Sequence, residues 1–291
     1  MALLNGFARE DYPNGDSYEG NFKKGSRHGT GTYYRIDGAR YEGEFREGMM
    51  EGKGTYFYAG NEEYDGQWHD SRRDGSGTFR YSDGTVYDGR WEADLRNGQG
   101  LMRYCDGSVF DGLWEKDRRH GQGQMTSGDG AQYTGAWEDD ERHGIGTLKL
   151  ENGSTYEGQF VKDIPNGEGT LFDADEKSSY KGQFRDGLRD GNGTCEYHKT
   201  GDKFVGEWEL GARVKGVMFL QDGEVERVAY LNDTLMRREK LDWREQRRLL
   251  AEERGEAVPD DPEPATGPEE EATAVPATIE TAPGPPEPIA A

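Results

Sequence analysis

One internal period dominates the sequence. The pattern aromatic-x-Gly-x-aromatic occurs nine times, at spacings of 23 residues six times and then of 24 residues twice. The leading aromatic residues are Tyr18, Tyr41, Tyr64, Tyr87, Phe110, Tyr133, Tyr156, Tyr180 and Phe204. A period of about 20 to 50 residues indicates a repeat architecture, in which each unit packs mainly on its neighbours in sequence. The chain is therefore predicted to be a repeat array over residues 18–223, preceded by an N-terminal cap over residues 1–17.

Each unit reads as strand, turn, strand, turn. A Gly-x-Gly segment follows the leading aromatic residue by eleven positions in eight of the nine units, and a turn-forming residue lies between them. Alternation at period two places Tyr18, Gly20 and Phe22 on one face of a strand and Glu19 on the other. Glycine weakens a strand, so its fixed position indicates a slot into which an aromatic ring from the adjoining strand lies flat. Each unit is therefore predicted to be a β-hairpin.

These units resemble a known repeat. The segments Tyr41-Glu42-Gly43-Glu44-Phe45 and Gly52-Lys53-Gly54-Thr55-Tyr56 look like a MORN repeat (membrane occupation and recognition nexus), and the match covers about 206 of the 291 residues. The resemblance implies an all-β fold, an elongated, single-layer, twisted antiparallel sheet of nine MORN β-hairpin repeats. The hairpin alternation agrees with this fold.

Composition and charge narrow the class of protein. The chain has 58 acidic and 36 basic side chains and a formal net charge of −22, which argues against nucleic acid as a partner. Two cysteines are consistent with a reducing compartment, and the N-terminus lacks the basic and apolar regions of a secretory signal. No run approaches about 18 apolar residues, the length of a membrane span. We expect a soluble cytoplasmic protein.

The C-terminal region differs from the repeats. We expect residues 224–254 to form a terminal strand and an amphipathic helix over 231–254, which Asn232 or Asp233 caps. Residues 255–291 hold nine of the eleven prolines and no aromatic residue, so we expect an acidic, Pro-rich, disordered tail. The helix has two candidate docking sites, its own aromatic groove, which it would cover as an autoinhibitory element, or a second copy of the chain. The family resemblance makes a homodimer credible.

Several residue patterns are typical of chemistry but also have structural explanations. Neighbouring repeats place equivalent residues about 10 Å apart, which is too far for His28, His120 and His143 to share a metal ion. The Gly-x-Gly segments lack the strand–loop–helix context of a phosphate-binding loop. Cys105 and Cys195 have no base at a recognisable spacing. We therefore predict no enzyme activity, no metal and no cofactor.

Two rows of charged residues recur with the repeat. Carboxylates form a ladder on the face opposite the rings, which we interpret as a solvated face. The ladder consists of Glu19, Glu42, Asp65, Asp88, Asp111 and Glu157. Basic clusters such as Lys23-Lys24 and Arg72-Arg73 occupy the first turns. They favour an alternative function, a membrane-associated tether that binds anionic phospholipids, but interleaved acids cancel most of their field.

The aromatic stripe is the main candidate for a binding site. A single layer cannot cover its own apolar face, and an uncovered aromatic strip is typical of a binding surface. The predicted partner-binding groove consists of Tyr64, Trp68, Tyr87, Trp91, Phe110, Trp114, Tyr133 and Trp137. We expect a non-enzymatic scaffold or adaptor whose groove receives segments of axonemal or cytoskeletal proteins. An array with an acidic tail resembles radial-spoke-head and other axonemal family members, which implies the axoneme of a cilium or flagellum.

Overall fold

The computed structural model describes residues 4–257, which contain 21 β-strands and one α-helix. The described residues divide into two compact units, the first ending at Glu151 and the second beginning at Asn152. The predicted disorder of residues 255–291 falls, from residue 258 onward, outside the described residues.

The first unit is a run of thirteen antiparallel strands, each paired with the next in sequence. The strands are β1 Gly6–Asp11, β2 Ser17–Lys23, β3 Ser26–Tyr34, β4 Arg40–Arg46, β5 Met49–Phe57, β6 Glu63–His69, β7 Arg72–Arg80, β8 Val86–Glu92, β9 Leu95–Arg103, β10 Val109–Glu115, β11 Arg118–Thr126, β12 Gln132–Glu138 and β13 Glu141–Lys149. The N-terminal cap thus contributes an additional strand, β1, which pairs with β2.

The second unit continues the pattern with eight antiparallel strands and a helix. These elements are β14 Thr155–Val161, β15 Ile164–Asp173, β16 Ser178–Arg185, β17 Leu188–Tyr197, β18 Asp202–Glu209, β19 Ala212–Phe219, β20 Val225–Leu231, β21 Thr234–Lys240 and α1 Trp243–Arg254. The prediction of an all-β, open antiparallel sheet of successive hairpins, followed by a C-terminal helix, is confirmed.

The first turn of each hairpin is a two-residue turn with left-handed backbone at both positions. Ala93 has a φ of 47° and Asp94 a φ of 73°, and the other first turns are similar. Positive φ at both central residues is the type I′ geometry that matches the twist of two paired strands. The recurrent Asp or Gly at the second turn position follows from this requirement, because both residues tolerate the left-handed region.

Paired glycines leave a slot in each repeat hairpin. Gly89 of β8 faces Gly100 of β9, and the ring of Tyr87 covers both. A Cβ on Gly89 would lie 2.5 Å from the Tyr87 hydroxyl oxygen and 2.6 Å from the Gly100 Cα. This geometry confirms that the recurrent glycines make room for a ring. The prediction that the ring comes from the adjoining strand is right for Gly100 and wrong for Gly89, which a ring of its own strand covers.

The predicted helix over 231–254 is wrong in its first half. Residues 225–240 form a tenth hairpin, and Asn232 and Asp233 are its type I′ turn, with φ values of 49° and 63°. The helix begins at Trp243, where the Asp242 side chain caps it by accepting from the backbone N–H groups of Arg244 and Glu245. Residues 234–240 are rich in residues that also form helices, but pairing with β20 satisfies their backbone and determines their structure.

Candidate partner-binding surface

The eight residues of the predicted groove share one face of the first unit, as alternation requires, but they are buried there. Their exposed fractions are Tyr64 0%, Trp68 5%, Tyr87 0%, Trp91 4%, Phe110 0%, Trp114 4%, Tyr133 3% and Trp137 5%. The premise that this stripe is uncovered is therefore wrong. Its role in partner binding stays a prediction, and any contact would have to be made through the residues that cover it.

The rings bury one another across successive repeats. Tyr64 contacts Trp68 of its own strand and Trp91 of the next hairpin edge to face, at centroid distances of 5.1 and 5.4 Å. Trp91 Nε1 also donates to the carbonyl oxygen of Gly77, 3.1 Å away. Each Trp therefore lies across the preceding hairpin and satisfies its only polar group there. The same arrangement recurs at Trp68, Trp114 and Trp137.

An arginine of one hairpin clasps the turn of the next. Arg73 Nε lies 3.1 Å from Asp94 Oδ1, and Arg73 Nη2 donates to the Asp94 carbonyl oxygen at 2.8 Å. The guanidinium stands 4.2 Å from the centroid of the Trp91 ring. Arg96 with Asp117, and Arg119 with Asp140, repeat this geometry. Sequence reasoning missed the clasp, although its constant separation of 21 residues is a readable signal.

Three half-buried tyrosines stand beside the clasps. Tyr58, Tyr81 and Tyr104 each follow a second strand, and the Tyr81 ring packs 4.5 Å from the Phe79 ring. Burial raises the pKa of each phenol, and nearby arginines oppose the rise. Among residues 4–257, no hydrogen-bond partner is present for any of the three hydroxyls. We call Tyr58, Arg73, Tyr81, Arg96, Tyr104 and Arg119 the Tyr–Arg row.

The Tyr–Arg row has a regular pitch and a fixed backbone. Successive tyrosines are 23 residues and two strands apart, which corresponds to about 10 Å across the sheet. The backbone N–H of Tyr81 donates to the Thr85 carbonyl oxygen at 2.9 Å, and Tyr58 and Tyr104 have the same bond. The row therefore presents equivalent phenol and guanidinium groups at equal intervals on a rigid support.

The opposite face carries the predicted carboxylate ladder. Glu42, Asp65, Asp88 and Asp111 are exposed there, in agreement with a solvated face. Asp65 accepts a hydrogen bond from the Thr55 hydroxyl at 3.1 Å, and Gln99 donates to Asp111 at 2.7 Å. The two faces of the first unit thus differ in chemistry: one presents carboxylates, the other phenols and clasped guanidiniums.

The remaining candidates for chemistry are dispersed. His120 lies 3.6 Å from Glu115, and His143 lies 3.4 Å from Glu138. Each pair spans the first turn of its own hairpin. Within residues 4–257, one group has metal-ligand spacing, Glu51 with His69 and Asp70, and its carboxylates approach different ring nitrogens of His69. These are the contacts of a surface ion-pair cluster, in which His69 and Asp70 are exposed. Both cysteines are free, and burial raises the pKa of Cys195.

Comparison with protein families identifies the repeat. The model of the MORN repeat matches residues 18–40, 41–62, 64–86, 87–109, 110–132, 133–155, 156–176 and 180–199. The chain belongs to the MORN-repeat family. The unit that begins at Phe204 lies outside these matches but has the same ring and paired glycines, Gly206 facing Gly216.

Solved structures show remote likeness. The TCP domain of Drosophila melanogaster SAS-4, in complex with a proline-rich motif of Ana2, has 17% identity and a TM-score of 0.34, over 55% of this chain and 88% of that chain. The TCP10 domain of Danio rerio CPAP has 13% identity and a TM-score of 0.25, over 80% and 100%. These likenesses carry no functional argument. No curated protein matches the sequence significantly. Among residues 4–257, no helix has the length and apolarity to cross a membrane.

Proposed function

We propose that this protein is a non-enzymatic scaffold that binds segments of partner proteins along the Tyr–Arg row of its first unit. The observation that carries the proposal is the threefold repetition of a half-buried tyrosine with an unpaired hydroxyl beside a clasped arginine. The eight buried ring residues form the layer that supports this row. Membership of the MORN-repeat family is consistent with a binding role.

The row suits protein partners for physical reasons. A tyrosine held by packing offers a large amphipathic surface at little further loss of entropy, and arginine presents donors in a fixed fork. The clasp uses Nε and Nη2 of Arg73, so the Nη1 donors are unused by the residues of the described chain. A segment that crosses the strands would meet equivalent contacts about every 10 Å.

The same geometry supports a role without catalysis. A nucleophile or general base needs a neighbour that activates it within hydrogen-bond reach, in a site that shifts its pKa toward neutrality. The perturbed groups of the described chain are mainly tyrosines whose pKa burial raises, which moves the phenols away from neutrality. Cys195 is buried, and its pKa is also raised. These residues are packing elements.

Partner capture by row variants tests the proposal. We would replace Tyr81 and Tyr104 by Leu, which keeps apolar packing and removes the phenol edge, and compare partner capture by the full chain in quantitative proximity labelling. The matched control is Tyr34→Leu, because Tyr34 is exposed on the opposite face. We expect the row variant to lose specific partners that the control retains. Equal partner sets for two folded variants would contradict the proposal.

The buried tryptophans are unsuitable for this test. Replacing Trp91 or Trp114 by Ala removes a buried ring and its hydrogen bond to a glycine carbonyl. Such a change destabilises a fold by about 3–5 kcal/mol, so loss of a partner would report unfolding.

The cellular setting we propose is the axoneme. Its support is the resemblance of a MORN array with an acidic tail to radial-spoke-head and other axonemal members of the family. The test is detergent extraction of ciliated cells that express the tagged full chain. We expect the protein to remain with the axonemes, and complete release by detergent would contradict this setting.

The lipid-tether alternative finds less support. Arg118 and Arg119, at a basic first turn, lie 3.2 and 3.1 Å from Asp139 and Asp140 of the next turn. Carboxylates beside the basic residues cancel the field that would attract anionic lipid. We expect no salt-sensitive cosedimentation with anionic vesicles at two ionic strengths. Robust binding that weakens with salt would revive the alternative.

A further inference from the structure

The second unit has a groove on the face opposite its rings. The groove crosses β18 to β21 and has a volume of about 440 Å³. Its floor contains the backbone of Gly206 and Gly216 and the side chains of Val217 and Ala229. Its rim is charged and consists of Lys215, Arg227, Arg237, Glu207 and Glu239. An apolar floor with a polar rim is typical of a site for a peptide segment.

The charge of this face changes along the sequence. The position that follows the leading residue is Glu42, Asp65 or Asp88 in repeats of the first unit. The equivalent position is Lys181, Val205 or Arg227 in the last hairpins of the second unit, as the strand registers show. The carboxylate ladder therefore stops, and at the groove itself Arg227 occupies the equivalent position.

The basic residues of the rim are in exposed ion pairs. Lys215 Nζ lies 3.1 Å from Glu207 Oε1, and the two side chains are 63% and 50% exposed. Arg237 pairs with Glu239 in the same way, at 3.1 Å. Exposed pairs contribute about 0–1 kcal/mol, so these cations can exchange their partners for other carboxylates with little change in free energy.

The chain leaves the described structure beside this groove. Near the end of α1, Glu253 Oε1 lies 2.6 Å from Lys203 Nζ. Lys203 and Glu207 point to the same face of β18, four residues or about 13 Å apart. Near the start of α1, Glu245 contacts Arg227 of the rim. The residues after Ala257 therefore begin within a few residues' reach of the groove.

The segment that follows carries acidic and apolar side chains, which would complement the basic residues of the rim and the apolar floor of the groove. Residues 258–291 contain eight carboxylates, nine prolines and no Lys or Arg. Val258, Val275 and Ile279 offer apolar side chains for the floor. The backbone of a proline-rich segment is already restricted, so the segment loses little entropy on binding. Thirty-four residues at about 3.1 Å each can span the groove many times over.

We propose that the acidic, proline-rich segment 258–291 occupies this groove in its own molecule. Its carboxylates replace Glu207 and Glu239 as partners of Lys215 and Arg237, and its apolar residues cover Val217 and Ala229. This inference is independent of the proposed function, which concerns the Tyr–Arg row of the first unit.

Nuclear magnetic resonance of the labelled full chain tests this inference. The amide signals of residues 258–291 are compared with those of the synthetic peptide 258–291. We expect shifted or broadened signals for part of the segment in the full chain. We also expect Lys215→Glu with Arg237→Glu, or about 0.5 M NaCl, to restore peptide-like signals, because both remove the attraction. Signals identical to those of the peptide in the wild-type full chain would overturn the proposal.

Control variants separate the possible results. Lys162→Glu with Lys199→Glu makes the same charge change at exposed turns of the second unit, and the shifts should persist. Shifts that persist in Lys215→Glu with Arg237→Glu would overturn the proposal. Shifts that disappear on dilution would also overturn it, because they would mean that the segment of a second copy occupies the groove. The variant Tyr81→Leu with Tyr104→Leu should leave the shifts unchanged, so failure of the groove and failure of the Tyr–Arg row are distinguishable.

Discussion

The repeat hairpins and the last hairpin differ in the side chains that fill the space over their paired strands. In β8–β9, Tyr87 covers the facing pair Gly89 and Gly100. In β20–β21, Glu226 occupies the position of the leading ring and Val228 that of the first glycine, as the register with β19 shows. Both residues are buried. The last hairpin therefore fills the slot with side chains, where the repeats fill it with a ring.

The difference shows how the array ends. Tyr230 of β20 still contacts the Phe204 ring of the preceding hairpin, at a centroid distance of 6.0 Å. The hairpin thus receives a ring contact from the repeat before it. It has no glycine slot of its own, because Val228 occupies that position and Glu226, in place of the leading ring, pairs with Arg238 of β21. A further repeat of the same kind would need both the leading ring and the paired glycines. The last hairpin lacks both.

The largest effect expected is at the slot itself. Gly89→Ala places a Cβ 2.5 Å from the Tyr87 hydroxyl and 2.6 Å from the Gly100 backbone, so we expect a loss of roughly 3 kcal/mol or more in the free energy of unfolding. Val228→Ala in the last hairpin should lose on the order of 1–2 kcal/mol, because a filled slot is emptied. Gly60→Ala meets nothing within 4 Å and is the control in urea denaturation. A tolerated Gly89→Ala would remove the distinction between the hairpins.

Alkaline pH should weaken the repeats selectively. Burial raises the pKa of Tyr64 and Tyr87 above the usual value of 10.0. Their stabilisation is complete below pH 10 and declines above it, because the unfolded phenols lose protons first. The decline is up to about 1.4 kcal/mol per pH unit for each tyrosine. Tyr64→Phe with Tyr87→Phe should flatten the loss of stability between about pH 10 and pH 11 in denaturant titrations. An unchanged slope would contradict the assignment.

The arginine clasp should be stronger in the last hairpin than in the repeats. Arg213 and Asp233 are 2.6 Å apart with side chains 15% and 16% exposed, whereas Asp117 of the Arg96 clasp is 41% exposed. We expect Asp233→Asn to destabilise by about 2 kcal/mol and Asp117→Asn by about 1 kcal/mol. Asn tolerates the left-handed turn, so backbone strain stays constant. Equal effects in thermal denaturation would contradict the burial argument.

The smallest effect concerns the turn that precedes the last one. Leu210 has a φ of 49° and is 66% exposed, whereas Asn232 occupies the same turn position in the last hairpin at the same φ. Leu210→Asn should therefore stabilise the fold by about 1 kcal/mol, and Asn232→Leu should destabilise it by a similar amount. Thermal denaturation measures both. A Leu210→Asn variant that melts earlier would show that the leucine side chain contributes packing there.

Period and alternation were sufficient to predict the hairpins, because a facing glycine pair and a ring two residues away are local features. The burial of Trp91 was not predictable in this way, since its cover comes from Tyr64 of the preceding repeat and from Arg73. A fixed period does not show how far a side chain reaches into the adjacent unit. The open groove inferred from a single layer was wrong for this reason.

The prediction of where the helix starts was wrong for a different reason. Residues 234–240 have no glycine and contain Leu, Met, Arg and Lys, which favour a helix locally. The pairing that makes them a strand depends on β20, a nonlocal partner. The Tyr–Arg row was also missed, although Tyr58, Tyr81 and Tyr104 recur at the 23-residue period, because a position between two strands predicts only a turn.

Solvent access to tryptophan tests the central claim, that the ring layer is internal, on which the proposed role of the Tyr–Arg row depends. Trp68, Trp91, Trp114, Trp137 and Trp208 are at most 5% exposed, whereas Trp243 is 53% exposed. Acrylamide quenching of the full chain should therefore report Trp243, and Trp243→Phe should leave emission that is blue-shifted and almost unquenched. Strong quenching in Trp243→Phe would mean that the tryptophan layer is open to solvent, which would contradict the claim.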